Sequence, residues 1–197
     1  MCNEFGNKVP YQKYVEAMSV IGLPLPPGPP ASNLQPRDSI RPSDTAPVLR
    51  LREGGSELVS LKWGFPAARP KAPLVINMRG EGRDFAKGRC LVPVSRFYEF
   101  TGTKYPKTRW AFTMPGRDWF CLAGLIRDEA FTLLTCEPGP DVAPIHDRQV
   151  VVLDPERWAD WLNPEVPASE LIHPSPAGTL EVAEAPREKD GAEGTLL

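Results

Sequence analysis

The 197-residue chain has few of the residues that build metal centres, disulfides or membrane spans. Its two histidines are too few for a histidine-rich metal site, and its cysteines show no CxxC or other metal spacing. The four cysteines are Cys2, Cys90, Cys121 and Cys136. Apolar runs such as VVVL fall far short of the ~20 residues that span a bilayer, and no charged segment precedes a long apolar stretch, as a signal peptide requires. We therefore expect a cytoplasmic protein without disulfides, metals or other cofactors.

Charge is distributed unevenly along the chain, although its net value is only −2. Residues 62–117 carry a net charge of +9 and residues 118–197 a net charge of −11, while residues 1–61 are balanced. A basic segment with interleaved aromatic residues is typical of proteins that bind a phosphate backbone. The alternative is a solvated surface whose charges pair with the acidic third of the chain.

Two segments have helical spacing. Residues 11–22 place Tyr14 and Met18 on one face and end at Gly22. The segment DPERWADWL predicts a second, short helix with Asp154 as its N-cap and Pro155 in its first turn.

Most other apolar segments are short and strand-like. APVLRLR and ELVSLKWGF predict a hairpin, and PLVIN predicts a strand that ends in a loop at Asn77. Further strands are predicted in RCLVPVSRFYEFT (interrupted at Pro93), RWAFTM, WFCLAGLI, AFTLLTCE and RQVVVL. We predict an α+β fold, a single domain built on a curved, barrel-like, mostly antiparallel sheet with a few short helices. The domain is predicted to cover residues 2–182, followed by a disordered acidic tail at residues 183–197.

The second residue, Cys2, offers unusual chemistry if Met1 is removed. An N-terminal cysteine carries an amine with a pKa near ~8 beside a thiol with a pKa near ~8.5. Together these groups can close a five-membered ring on an aldehyde. The alternative is that cysteine stands at position 2 by chance.

Four further residues could assist such a nucleophile. Asn77 and Arg79 face the same way if the chain stays extended. Glu99 stands between aromatic residues, where a carboxyl pKa is raised, and His146 titrates near neutral pH. Each also has a structural alternative. Asn77 could be a turn residue and Arg79 a surface cation. Glu99 could be an outward-facing strand residue and His146 a strand cap.

These residues belong to a longer set of motifs, which runs from Cys2 to about residue 182. In order, the motifs are MCN, IRPSDTAPVLR, KWGF, INMRGE, RCLVPVSRFYEF, LAGLI, LTCEPGPDVAPIHDR and WADWL. With them the chain resembles the SRAP family, the SOS response-associated peptidase-like proteins that process abasic sites in single-stranded DNA. The resemblance implies DNA repair as the function and abasic single-stranded DNA as the partner.

The resemblance also implies roles for individual residues. Cys2 is then the nucleophile that forms a thiazolidine crosslink with the aldehyde of an abasic site. Asn77 orients the sugar and the Cys2 end, while Glu99 and His146 transfer protons, including those of crosslink reversal or strand cleavage as an AP lyase. Arg79 holds a phosphate next to the lesion.

The DNA-binding groove implied by the resemblance has several further members. They are Trp63 and Pro42, which stack on or wedge beside bases, and the basic residues Arg41, Arg83 and Arg89. Three departures from the family pattern bear on substrate contacts: Glu4 replaces an arginine, Met78 an alanine, and Gln149-Val150 a Met-Pro pair.

Two other functions remain open from the residues. An N-terminal nucleophile also suits a thiol peptidase, including one that removes its own Met1. A non-catalytic single-stranded DNA-binding module would need the basic groove but not Cys2. For each of these functions we expect a monomer that does not bind a membrane.

Overall fold

The computed structural model describes residues 1–26, 34–52, 55–67, 69 and 71–186. Within these residues it has two α-helices, α1 (Tyr11–Val20) and α2 (Trp158–Leu162), with short 3₁₀ turns at Pro155–Arg157 and Ala168–Glu170. The strands are β1 (Glu4–Asn7), β2 (Arg37–Ile40), β3 (Thr45–Arg52), β4 (Gly55–Trp63), β5 (Asn77–Arg79), β6 (Arg89–Val94), β7 (Arg96–Thr101), β8 (Thr108–Thr113), β9 (Phe120–Arg127), β10 (Ala130–Cys136), β11 (Gln149–Val150), β12 (Val152–Leu153) and β13 (Glu181–Glu184).

The strands form two sheets, one of which closes on itself. The smaller sheet has the antiparallel order β13-β8-β7-β1-β2. In the larger sheet, β4, β3, β6, β9 and β10 pair in a ring, because β10 pairs with both β9 and β4. β5 lies beside β10 and runs parallel to it. The predicted α+β fold with a curved, barrel-like and mostly antiparallel sheet is therefore confirmed.

Two apolar clusters hold these layers together. The first contains residues from both sheets, among them Cys2, Phe5, Trp63, Phe97 and Phe131. The second cluster packs both helices against the larger sheet, through residues that include Tyr14, Met18, Trp158 and Trp161. Cys2 thus belongs to the cluster shared by the two sheets, at the point where β1 enters the fold.

The first helix ends as its sequence predicts. Gly22 follows the helix with φ 75°, a left-handed conformation that glycine adopts without strain. Its N–H donates to Ser19, and the N–H of Leu23 donates to Met18. This pair of hydrogen bonds is a Schellman motif, which satisfies the last carbonyls of the helix.

Most predicted strands are present, with two shifts. The predicted hairpin is β3 paired with β4. The strand predicted to end at Asn77 instead begins there, and Val75 before it forms only an isolated bridge with Phe65. Pro93 lies inside β6, opposite Cys121, and the interruption falls at Ser95, where the chain passes from the larger sheet to the smaller one.

The ends of the chain bear on the predicted domain boundary. β13 extends to Glu184, two residues past the predicted boundary at residue 182, and it pairs with β8. Of the predicted tail, residues 187–197 lie outside the described residues, so the tail stays a prediction. No helix among the described residues is long and apolar enough to cross a membrane.

Candidate active site

Four segments that are far apart in sequence meet where β1 begins. β1 runs antiparallel to β7 with Glu4 opposite Tyr98, so the residues before β1 lie alongside Glu99. β5 carries Asn77 as its first residue, and the loop between β10 and β11 carries His146. The structure therefore brings together the four residues that the sequence predicts as catalytic: Cys2, Asn77, Glu99 and His146.

The Cys2 thiol is fully buried, and its sulfur lies 3.4 Å from the carbonyl oxygen of Glu4. Burial is the main cause that raises the pKa of this thiol far above its usual range, and the negative charge of Glu99 raises it further. The resting group is therefore a neutral thiol, which is a weaker nucleophile than a thiolate. Any reaction at Cys2 needs a neighbour that accepts its proton.

The N-terminal amine of the chain lies between two candidate proton carriers. The N-terminal nitrogen of Met1 lies within hydrogen-bond distance of Nε2 of His146, and it is 3.4 Å from Oε2 of Glu99. The backbone N–H of Cys2 also donates to Glu99. Because Met1 is present, the Cys2 nitrogen is a peptide nitrogen here, and the ammonium of Met1 stands in for a Cys2 amine.

Glu99 is held in a protonation state suited to proton transfer. Its side chain is only 2% exposed, and this burial raises the pKa of Glu99 to about 7 despite the opposing attraction of the N-terminal ammonium. Such a carboxyl is partly protonated at neutral pH, so it can both donate and accept a proton. Its Oε1 is buried and has no hydrogen-bond partner among the described residues, which leaves one oxygen for a ligand.

His146 is positioned by its own loop. Its Nδ1 accepts a hydrogen bond of 3.0 Å from the N–H of Arg148, and a carboxylate oxygen of Asp147 lies 2.9 Å from the same nitrogen. Burial, followed by the charge of the N-terminal ammonium, lowers the pKa of His146. The imidazole is therefore mainly neutral at pH 7 and able to accept a proton.

Asn77 connects the larger sheet to the nucleophile. Its Nδ2 donates a 2.6 Å hydrogen bond to the Cys2 carbonyl oxygen, which fixes the backbone of Cys2. Its Oδ1 is buried and, like Oε1 of Glu99, has no partner among the described residues. Two unpaired acceptors at one site indicate room for a polar ligand, since an unsatisfied buried acceptor is unfavourable. The next residue, Met78, packs into the helix-side cluster.

Four of the predicted DNA-binding residues lie at accessible positions near this site. Arg79 is exposed two residues after Asn77, on the same face of β5, and Arg83 is exposed in the turn that follows. Arg41 is exposed with its Nε 3.8 Å from a carboxylate oxygen of Glu4, and the half-buried Pro42 follows it. Their contacts with DNA stay predictions.

Trp63 and Arg89 are not placed as the resemblance implies, and both assignments to the groove are corrected. Trp63 is fully buried: its ring contacts Phe5 and Phe131, and its indole N–H donates to Ile76. A ring enclosed in this way has no free face for a base.

Arg89 is 5% exposed and donates to the carbonyls of Phe85, Asn163 and Val166. Its guanidinium lies 5.1 Å from the ring of Trp161 on α2. These contacts hold a loop against the barrel, and they leave the residue away from the surface where a phosphate would bind.

Two pairs of charged residues near the site were not identified from the sequence. Arg148 makes two hydrogen bonds, of 2.6 and 2.7 Å, to the carboxylate of Glu81 just beyond β5. This pair joins the His146 loop to the strand that carries Asn77 and Arg79. The only signal in the sequence is the position of Arg148, two residues after His146.

The second pair consists of Glu4, the unexpected acid beside the nucleophile, and Arg109. It is 2% exposed and accepts a 2.6 Å hydrogen bond from Arg109, whose guanidinium lies 3.5 Å from the centre of the Tyr98 ring. Its charge is therefore offset by Arg109 on β8 and by Arg41, which follows β2.

Gln149, another departure from the family pattern, supports the His146 loop. Its side chain accepts a 2.9 Å hydrogen bond from the N–H of Gly139 and donates one of 2.7 Å to Ser175. A side chain at Gly139 would lie 2.1 Å from the Ser175 carbonyl oxygen, so only glycine fits there. The substitution thus adds a buried link at the base of the loop.

Comparison with known proteins identified a matching family and several relatives. The model of the family described as SOS response associated peptidase (SRAP) matches residues 1–188. Abasic site processing protein YobE from Bacillus subtilis (strain 168) is 26% identical over 190 residues, which cover 84% of this chain and 83% of the relative. Abasic site processing protein YoaM from the same organism is 29% identical over 163 residues, or 69% of this chain and 70% of the relative.

Solved structures share the fold. A phage-related protein from Bordetella bronchiseptica has a TM-score of 0.71 and 23% identity, with 95% of each chain covered. A protein from Bacteroides thetaiotaomicron has a TM-score of 0.64 and 16% identity, with 75% of this chain and 77% of the other covered.

Proposed function

The chain belongs to the SOS response associated peptidase (SRAP) family, and on that premise we propose that it processes abasic sites in single-stranded DNA by covalent capture on Cys2. One observation carries the proposal: the N-terminal amine lies within reach of Glu99 and His146, beside the Cys2 thiol. The names of the relatives YobE and YoaM, abasic site processing proteins, support the same substrate.

Loss of Met1 is the first requirement. The Cys2 nitrogen then becomes an amine that remains next to Glu99, because its N–H already donates to that carboxylate. Asn77 keeps the Cys2 backbone in place through its bond to the carbonyl oxygen. The thiol and the amine of one residue are thus held together before any substrate arrives, which lowers the entropic barrier of ring closure.

Capture begins at the amine rather than at the buried thiol. The neutral amine attacks C1′ of the ring-opened sugar, and one water leaves as an imine forms. Glu99, with a pKa of about 7, protonates the departing hydroxyl. The sulfur then bonds to C1′ and the thiol proton passes to the nitrogen, which closes a thiazolidine with the net loss of one water.

Strand cleavage uses the same imine. The imine acidifies the C2′ hydrogens of the sugar, and neutral His146 is the base that removes one of them. The C3′–O bond then breaks and the 3′ phosphate leaves, which is the AP lyase reaction. Closure of the thiazolidine competes with this step by consuming the imine.

The surface charge of the site suits single-stranded DNA. Arg79, Arg83 and Arg41 are exposed around the nucleophile, and Arg79 is aligned with Asn77 on β5. Such cations bind the sugar-phosphate backbone without reading bases, so we expect little sequence preference and a steep salt dependence.

A peptidase function has weaker support. Asn77 donates to the carbonyl of Cys2, which belongs to the peptide bond after the nucleophile, so this contact does not polarise the Met1–Cys2 bond. A purely non-catalytic binding function would leave unexplained why two proton-transfer groups flank the N-terminal amine.

The test is covalent capture under denaturing conditions. Protein that lacks Met1 is mixed with a labelled single-stranded oligonucleotide that contains one abasic site, and the products are separated on a denaturing gel. We expect a stable adduct with the natural chain and none with Cys2→Ala, although Cys2→Ala should bind the strand equally well and form an imine that borohydride traps.

An oligonucleotide with a tetrahydrofuran residue in place of the abasic sugar is the matched control, because it has no aldehyde and should give no adduct. The proposal fails if the natural chain without Met1 forms no adduct, or if Cys2→Ala forms an equally stable one without reductant.

A further inference from the structure

A groove beside the active site has no assigned role. It has a volume of about 560 Å³, within the range of ligand-binding clefts. It lies at the end of the smaller sheet, and its wall is the turn that joins β7 to β8. The lining residues are Asn3, Phe100, Tyr105, Pro106, Lys107, Thr108, Arg109, Glu184 and Pro186.

The groove begins at residues next to the site of capture. Asn3 follows Cys2 directly, and Phe100 follows Glu99. A strand whose abasic sugar lies at Cys2 therefore has a neighbouring nucleotide on the side where the groove begins.

The turn presents an aromatic ring to solvent. Tyr105 is 84% exposed. Among the described residues, it is the one aromatic residue in the set of exposed large hydrophobic side chains. One exposed ring is ordinary on a protein surface, but this ring lines a groove of ligand-binding size. Proteins that bind single strands use such rings as stacking platforms for bases, whatever the sequence.

Positive charge accompanies the ring. Lys104 and Lys107 are exposed on either side of Tyr105, and Arg109 lies deeper in the groove. Glu184 is the one acidic side chain of the lining. The combination of a stacking ring with flanking lysines fits a nucleotide, which has a flat base and an anionic phosphate, better than it fits an apolar peptide.

Glu4 fixes the position of one lining residue, Arg109. Its hydrogen bond to Arg109 and the stacking of that guanidinium on Tyr98 hold Arg109 in place. Because Glu4 neutralises Arg109, the phosphate contact falls to the two lysines, and the main attraction for the nucleotide is the Tyr105 ring.

We propose that this groove binds the nucleotide on one side of the abasic site, with its base stacked on Tyr105 and its phosphate beside Lys107. The inference rests on the proposed function for the position of the lesion. The groove is thus the part of the protein that selects a continuous strand on that side of the lesion over a strand that ends there.

The test compares three oligonucleotides of equal length with the abasic site at the 5′ end, the 3′ end or the centre. Crosslinking rates are measured with subsaturating protein for the natural chain, Tyr105→Ala and Tyr105→Phe. Val20→Ala is the matched control, because Val20 is as exposed as Tyr105 but lies on α1. Anisotropy titrations with an undamaged strand are run in parallel.

We expect Tyr105→Ala to slow capture about 5- to 100-fold, the loss of one stacked base. The loss should appear with the central lesion and with only one of the two terminal lesions, while Tyr105→Phe and Val20→Ala retain the natural rate. Unchanged rates for Tyr105→Ala on all three strands, or an equal loss on all three, would overturn the inference.

Failure of the proposed function is distinguishable from failure of the groove. If the natural chain captures none of the strands, the covalent function is wrong. The anisotropy titrations alone then decide whether the groove binds a nucleotide. Weaker binding of the undamaged strand by Tyr105→Ala would then support the groove as a nucleotide site, and unchanged binding would refute it.

Discussion

Replacing Glu99 by Gln should make the folded protein more stable above pH 7 while it slows capture. The reason is the burial of this carboxyl, which raises its pKa from 4.5 to about 7. The folded protein therefore bears the cost of an ionised, poorly solvated carboxylate at neutral pH. Gln has nearly the same shape and no charge.

The size of the effect follows from the change in pKa. A rise from 4.5 to about 7 corresponds to roughly 3 kcal/mol in the free energy of unfolding, at about 1.4 kcal/mol per pKa unit. Because the pKa is raised in the folded state, the contribution of protonated Glu99 is fully present below about pH 4.5. It is lost as the pH rises, and the loss is complete above about pH 7. The advantage of Glu99→Gln should grow across this window.

Urea unfolding of the natural chain and of Glu99→Gln, measured at intervals between pH 5 and pH 8.5, tests this reasoning. At pH 8 the variant should be more stable by roughly 3 kcal/mol, or melt roughly 6–12 °C higher. Its capture rate should fall at least ~100-fold, because Gln does not transfer protons. Glu181→Gln, an exposed change on β13, should alter neither quantity.

A difference in stability that does not depend on pH would refute the reasoning, as would a variant that is less stable at pH 8. In either case Glu99 would be ionised in the folded protein at little cost, and the account of its role as a proton donor would lose its basis.

Four other substitutions have clear expected results. Trp63→Ala should lower the free energy of unfolding by about 3–5 kcal/mol in urea titrations, because the ring is fully enclosed, yet the folded variant should bind single-stranded DNA as before. Arg79→Ala should weaken binding to all sequences and reduce the slope of affinity against salt by about 1 in anisotropy titrations, whereas Arg89→Met should leave that slope unchanged. Glu4→Ala should lower stability by about 3 kcal/mol in the same urea assay, since it leaves Arg109 mostly buried beside Tyr98 without its carboxylate.

The sequence predicts much of this architecture because local patterns decide it. The alternation in RWAFTM, WFCLAGLI and AFTLLTCE corresponds to β8, β9 and β10, and Gly22 ends the first helix where expected. The closure of the larger sheet through the β9–β10 and β4–β10 pairs has no local signature, so the sequence indicates a curved sheet without its strand order.

The members of the candidate site that lie in recognisable motifs were predictable from the sequence. The members that only the fold brings to the site were not. Cys2, Asn77, Glu99 and His146 come together as the motifs imply. Trp63 and Arg89 were misplaced because a motif records which residue is present and not which way it faces. The Glu4–Arg109 hydrogen bond joins residues 105 positions apart, and no spacing rule connects two residues at that separation.

Intact mass is the most direct test of the central claim. The purified chain is weighed alone and after reaction with a single-stranded oligonucleotide that contains one abasic site, under denaturing conditions. The account predicts a protein without Met1 that gains the mass of the oligonucleotide less one water, with the new bond at Cys2. A protein without Met1 that gains no mass, or whose adduct maps to another residue, would contradict it.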